Sequence, residues 1–301
     1  SPPTMKIEMP HPRLLVISCV LLLVPGGLFS QDGDRGASAD ARSRVEWESN
    51  RISVHVSAST VSGERRGPDA VFLAQQAMDR AFPRILFEEL LTLPVDSLHT
   101  VEDLVRQRPQ LTAALSSLAD RADRGLPRPS PDLRRVDREY SLPLHPTVAS
   151  LFVSHDTPFP MERVIEWIPT RDFTGVVIYA GDSMPLHGTD NRVRLQPALL
   201  PEIYDENLRP VLTQDMVDPA AIDRWGIVHY TRSTNADEWR GRVGSQPLRI
   251  TARRAYGVLP TDIIIGRRDA DRLLATEHNR RLLRDGRIVV ILPSSTDPSR
   301  D

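Results

Sequence analysis

The sequence predicts an α/β (α+β) fold, a mixed sheet with packed helices, preceded by a cleaved signal peptide. Three observations predict it. Ile52, Val54 and Val56 alternate with Ser53 and His55, the period of two that marks a half-buried strand. Apolar residues from Asp69 to Leu91 recur at helical spacing. Thr261 to Leu292 runs strand, helix, strand, a local α/β unit whose natural consequence is a mixed sheet.

The chain begins with Ser1-Pro2-Pro3-Thr4 ahead of two candidate initiators, Met5 and Met9, of which Met9 is the expected start. Arg13 precedes the apolar run Leu14 to Val24, and Gly26-Gly27-Leu28-Phe29-Ser30 follows it. Roughly 11 apolar residues are too few to cross a bilayer as a helix, and small and polar residues after them are those of an export signal. Residues 1–30 are therefore expected to be removed, leaving a chain that starts near Gln31 and works in the periplasm or at the outer membrane. Val16-Ile17-Ser18-Cys19 has the form that precedes a lipid-modified cysteine, but the longer apolar run follows Cys19, so loss of Cys19 with the signal fits the lengths better.

Removal of Lys6, Arg13 and Glu8 takes 38 basic and 40 acidic residues to 36 and 39, a net charge of −3 against −2 for all 301 residues. No basic surface for nucleic acid is implied. Cleavage also removes the only cysteine and the only lysine. A disulfide, a thiolate nucleophile, a Schiff-base lysine and a phosphate-loop lysine are thereby excluded. About 270 residues remain, enough to bury a core without disulfides. No later apolar run reaches the roughly 20 residues of a membrane span.

The elements follow in order. Residues 31–44 are small and polar and read as a flexible leader, with order starting near Val45. After the Ile52–Val56 strand, Ser62 to Pro68 is turn-prone. Val71, Phe72, Ala77, Met78, Ala81, Phe82, Ile85, Leu86 and Leu90 then mark one long helix, bent or divided by Pro83. Thr100 to Asp103 has the form of a helix start, and Leu111, Leu115 and Leu118 continue a second helical stretch. Three prolines within Gly125 to Pro131 stop helices, so 125–131 is either a linker or an ordered extended crossing. With so few neighbours nearby in sequence, the long helix is expected to pack against the C-terminal part.

Residues 171–293 read as an α/β domain, and the Pro-rich connector fits either its independent folding from 45–170 or a shared fold. Its strands are Phe173 to Ala180, placed centrally by its apolar run, Gly226 to Tyr230, Leu248 to Ala252 with one wet face, Thr261 to Ile265, and Arg287 to Leu292. Asp269 to Leu283 is the helix before the last strand, and Gly286 closes it. Residues 294–301 read as a flexible tail.

Candidate chemistry is sparse. Gly181-Asp182-Ser183-Met184 at a strand end offers Ser183 as a nucleophile in the manner of a GDSL-type hydrolase, but the Asp-x-x-His of such enzymes is missing, and an unassisted serine hydroxyl is a poor nucleophile. His55, His99, His145, His155, His187, His229 and His278 are each isolated. A metal site would need His155 with Asp156, His187 with Asp190, and Glu277 with His278 to meet in space. Asp205, Glu206, Asp215, Asp218 and Asp223 offer carboxylates for sugar chemistry at no set separation. Gly241 to Gly244 falls short of a dinucleotide fingerprint. No catalytic, cofactor-binding or metal-ligating residue is therefore assigned.

The blocks FTGVVIYAG, PALLPEIYDENLRPV, WGIVHYT, RVGSQPLRITARRAYG, TDIIIGRRDADRLL and RDGRIVVIL, from Phe173 to Leu292, resemble FlgP-type, LPP-like envelope proteins associated with bacterial flagella and their uncharacterised relatives in spirochaetes and other diderm bacteria. The resemblance implies export, an assembly role and no catalytic residues. The family's usual lipid anchor is not matched, because Cys19 lies in the signal, and Asp182 to Gln196 looks inserted.

The functional expectation is a non-enzymatic exported envelope protein with an assembly or interaction role. Its partners would be proteins of the cell envelope, either a second copy of itself or flagellar motor components. Two alternatives stand beside it: a periplasmic ligand-binding module that uses the loops Met184–Arg194 and Asp205–Asp218, and a serine hydrolase built on Ser183.

Overall fold

The computed structural model describes residues 39–60 and 68–293; the segments expected to be a signal peptide and a C-terminal tail, and most of the turn-prone 62–68, lie outside them. The first half contains β1 (Ala39–Glu46), β2 (Arg51–Ser59), α1 (Pro68–Leu91), α2 (Val101–Gln107), α3 (Leu111–Ser117), β3 (Asp123–Arg124), β4 (Arg128–Pro129) and β5 (Arg135–Pro143). The strands form an antiparallel sheet in the order β1-β2-β5-β3, with β4 also paired to β5. Strand β1 reaches back to Ala39, into the segment read as leader. Backbone pairing of Ala41 with Val56 and Ser43 with Val54 holds it there, and an edge strand needs no apolar face to make those bonds.

Ile52, Val54, Val56 and Ala58 of β2 and Val136, Tyr140 and Leu142 of β5 turn one buried face toward α1. That helix answers with Ala70, Ala74, Met78, Phe82, Leu86 and Leu90, a buried row at i, i+4 spacing. Phe72, expected in the apolar stripe, is instead 58% exposed. The helix runs unbroken through Pro83, which sits on its exposed side. Its principal partners are β2, β5 and β1 of its own half rather than the C-terminal part. The expectation failed because β1 and β5 carry too few apolar residues to be read as strands, so the helix was left without visible neighbours. Phe82 stacks on Tyr140 at 4.1 Å, and Asp79 binds both the Tyr140 hydroxyl (2.8 Å) and Arg138 (2.9 Å). Burial, then the bond to Asp79, pushes the Tyr140 phenol up to about 12.

Residues 125–131 are the ordered crossing, tied to β5 by β4 and by the Gly125 N–H to the Glu139 carbonyl (2.8 Å). Thr100 caps α2 at the helix start read from the sequence, its hydroxyl accepting from the Asp103 N–H while Asp103 accepts from the Thr100 N–H.

The second half contains β6 (Val176–Tyr179), β7 (Met184–Pro185), β8 (Arg192–Val193), β9 (Ile203–Asp205), β10 (Pro210–Leu212), α4 (Pro219–Trp225), β11 (His229–Thr231), α5 (Ala236–Val243), β12 (Leu248–Thr251), β13 (Arg254–Tyr256), β14 (Asp262–Ile265), α6 (Arg267–Leu274), α7 (Glu277–Arg284) and β15 (Ile288–Ile291). All five strands expected here are present. They do not share one sheet. β11-β15-β6-β12 is wholly parallel, whereas β10-β9-β14-β13 is mixed, and β7-β8 is a small hairpin. The terminal strand, helix, strand run therefore crosses from one sheet to another: β14 pairs with β9 and β15 with β6. It also contains two helices, separated at Ala275 and Thr276, where the Thr276 hydroxyl caps α7.

The parallel sheet is covered on both faces, which explains its apolar strands. Val176, Ile178, Ile288 and Val290 face the main core, and Val177, Val289 and Ile291 pack with Trp239 and Val243 of α5. The main core is one cluster from Ile52 to Leu292. The halves are also stitched by backbone bonds, from Leu199 and Leu200 to the carbonyls of Pro94 and Val95 and from Leu259 to Ser97. Among the described residues no helix is long and apolar enough to cross a membrane.

Candidate functional site

Parallel pairing of Ile263 with Ile203 sets the preceding residues, Asp262 and Glu202, side by side, and antiparallel pairing sets Tyr256 opposite Asp262. Glu202, Asp262 and Tyr256 therefore form one row at one end of the mixed sheet. Over this row lies the loop that follows α1. Its Val95 N–H donates to the His99 carbonyl (2.9 Å), and Asp96 accepts from the N–H groups of Leu98 (2.8 Å) and His99 (2.7 Å). Gly257, at φ +108°, lets strand and loop meet: a Cβ there would lie 2.3 Å from the Ser97 Cβ. A third wall comes from the end of β7, where the His187 N–H donates to the Ala255 carbonyl (2.9 Å).

These segments enclose a cleft of about 630 Å³. Asp96, Ser97 and Leu98 line it from the first half; Leu186, His187 and Thr189 line it from the β7–β8 hairpin. Glu202, Tyr204, Gln214 and Tyr256 complete the interior, and Leu98 and Val258, 62% and 80% exposed, form its apolar rim. The Tyr204 and Tyr256 rings meet edge to face at 5.5 Å, and His187 meets Tyr256 in the same way at 5.8 Å.

The acids are the unusual feature. Glu202 accepts from the Tyr204 hydroxyl and from the Gln214 N–H (3.4 Å). Burial holds its carboxyl above the usual range despite those bonds. Asp262 is 1% exposed; its Oδ1 accepts from the Glu202 N–H (3.0 Å), and its Oδ2 has no hydrogen-bond partner. Burial, reinforced by the Glu202 charge and partly offset by the Ser97 hydroxyl, lifts Asp262 to about 7. Tyr204 is raised as well, by burial and by its bond to Glu202.

The residues singled out in the sequence are mostly placed elsewhere. The Ser183 hydroxyl accepts from Arg192 Nε (2.9 Å), so a cation rather than a base is its neighbour. His155 and His278 bond backbone carbonyls, of Val217 and Phe173. Among the described residues no group of three His, Cys, Asp or Glu side chains is arranged to hold a metal ion. Asp205 is buried against Arg209, Asp218 caps α4, Asp215 accepts from Thr213, and Glu206 accepts from the Arg267 N–H, so these acids do not converge. Of the loops proposed for ligand binding, Met184–Arg194 contributes Leu186, His187 and Thr189 to the cleft and Asp205–Asp218 contributes Gln214.

Glu202, Tyr204, Tyr256, Asp262 and Ser97 were not singled out from the sequence. One local signal was there, the acid Asp262 opening the apolar run Ile263-Ile264-Ile265. A second constellation also emerges, on the solvent face of the first sheet: Ser57 donates to Asp137, and His55 Nε2 lies 3.8 Å from the same carboxylate. The order is wrong for nucleophilic chemistry, which needs the imidazole between hydroxyl and carboxylate.

No curated protein matches the chain. Two family models do, each over part of it. Residues 38–151 match the one described as Treponema pallidum Tp0624, N-terminal domain, and residues 175–295 the one described as Treponema pallidum Tp0624, second domain. The two matched segments correspond to the two halves that build the cleft, so the chain is similar, in the same order, to the first two domains of Tp0624.

Proposed function

We propose that this protein is a non-enzymatic, exported binding protein of the cell envelope that holds a small ligand in the cleft between loop 94–100 and the mixed sheet. The cleft carries the reading. Its volume of about 630 Å³ falls in the range of small-molecule sites, and polar groups from several chain segments converge inside an apolar rim. The apolar run Leu14–Val24 supports export, and the Arg192 neighbour of Ser183 supports a non-catalytic role.

Thermal unfolding against a panel of sugars, amino acids, peptides, lipids and metal ions tests it. A ligand at about 100 times its Kd stabilises the fold by about 2.7 kcal/mol. Val258→Arg, which places a bulky charge on the rim, is expected to remove the shift. A panel that stabilises neither protein would end this reading.

One observation favours a second role, in assembly with envelope proteins, either further copies of the chain or flagellar motor components. On the extended segment between the halves, Ile165 and Trp167 are 98% and 86% exposed. Light scattering across a concentration series, beside crosslinked envelope fractions, tests it: an oligomer or captured partner lost in Trp167→Ser supports assembly, and a clean monomer without partners counts against it.

A further inference from the structure

We propose that the cleft recognises its ligand through a positively charged amino group, an inference that rests on the ligand-binding reading above. The argument begins with how this chain treats its other buried acids. Asp205, 0% exposed, is paired with Arg209 at 2.9 Å and accepts from two backbone N–H groups. Asp79 is held by Arg138, and Asp271 by Arg209. Arginine is thus the partner of the fully buried Asp205, of Asp271 and of the partly exposed Asp79.

The cleft breaks that habit. Asp96 and Glu202 line it and no arginine does; Glu202 accepts from the Tyr204 hydroxyl and the Gln214 N–H, and Asp96 lies 3.1 Å from His99 Nδ1. Glu202 and Tyr256, which flank Asp262 in the row, line the cleft; Asp262 itself is buried and is not among the lining residues. Two cleft carboxylates partnered by hydroxyl, backbone N–H and imidazole groups rather than by a guanidinium keep a negative charge that a cation brought by a ligand is suited to pair. Burial lifts Glu202 and Asp262 above their ordinary range, and a cation bound beside Glu202 would lower that carboxyl again.

The remaining walls suit the same chemistry. Tyr204 and Tyr256 give an aromatic lining of the kind that attracts ammonium groups, and Leu98 and Val258 offer an apolar rim for the ligand's body. A divalent metal is the rival cation, but the metal-ligating side chains do not gather in threes among the described residues.

Matched probes that differ in charge test the proposal by calorimetry on the purified full chain: glucosamine against N-acetylglucosamine, and cadaverine against 1-pentanol. The amine of each pair is expected to bind at least about tenfold tighter, with the gap narrowing as salt is raised. Glu202→Gln is expected to close the gap while still unfolding in one cooperative urea transition. If that variant does not fold, the probe pairs and their salt dependence on the unaltered protein decide alone. Equal binding within each pair overturns the amine assignment and leaves the ligand-binding reading standing. A gap that persists in a folded Glu202→Gln places the amine elsewhere and also overturns it. Saturable binding of neither pair overturns the amine assignment as well, and the wider panel above then decides the ligand-binding reading.

Discussion

The imidazole of His145 lies so close over Gly226 that a Cβ at the glycine would sit 2.8 Å from the ring Cδ2 and Nε2. His145 follows β5 in the first half and Gly226 ends α4 in the second, so this contact is one of the points where the halves lock. Gly226 also has φ +77°, a conformation that an L side chain adopts only with strain.

Gly226→Ala is therefore expected to lower stability by at least about 2 kcal/mol, read from urea unfolding. The double variant with His145→Ala should recover the steric part and leave the backbone part. Purely additive losses would show that the contact itself is not the cause.

Arg242 braces Gly226 from within the second half. Its guanidinium donates to the carbonyls of Trp225 (2.6 Å), Gly226 (2.7 Å) and Gly286 (2.8 Å), with no acid beside it, and stacks over Trp225 at 5.1 Å. Burial pulls its pKa down to about 9, which still leaves it charged at neutral pH. Arg242→Met orphans three carbonyls, and a loss of about 3 kcal/mol or more is expected. Arg242→Lys should recover little, because an ammonium lacks the fork that reaches all three. Full recovery in the lysine variant would mean that charge rather than geometry matters.

His145 and Asp262 pull the pH dependence of stability in opposite directions. Burial, then the Arg242 charge, push the imidazole from 6.5 down to about 4. Between those values the unfolded chain holds a proton that the folded chain lacks, so this group's contribution is lost as pH falls from 6.5 toward 4. Asp262 is lifted from 3.8 to about 7, so in that window the folded chain holds the extra proton and stability is lost as pH rises. His229 acts in the sense of His145, and Glu202 in the sense of Asp262. For His145 and Asp262 the full effect across each window is on the order of 3 kcal/mol. Relative to the unaltered protein, His145→Phe should shift the urea midpoint down at pH 6.5 against pH 4.5, and Asp262→Asn should shift it up. Parallel pH profiles for the two variants would refute both assignments.

Ser183 is exposed and bound to Arg192, so Ser183→Ala is expected to change stability by no more than about 0.5 kcal/mol and to leave cleft binding intact. Loss of an esterase activity in this variant would restore the serine as a nucleophile.

What the sequence determined by itself was local. The alternation of Ile52, Val54 and Val56 yields β2, the Met78-Phe82-Leu86-Leu90 row yields the buried face of α1, and the Thr100–Asp103 segment and Gly286 mark helix ends. Each signal lies within a few residues, because strand period, helix period and caps depend on near neighbours. Even so, β5 escaped notice, since Arg138 occupies one of its inward positions and finds its ion-pair partner in Asp79 of α1, far away in sequence. The tertiary structure alone decided that β14 joins β9 while β15 joins β6, and with it the cleft. Glu202 and Asp262 are sixty residues apart, and the loop carrying Asp96 and Ser97 comes from the other half. Register between non-adjacent strands, closed by backbone bonds and a shared core, brings them together, and no periodicity along the chain encodes that meeting.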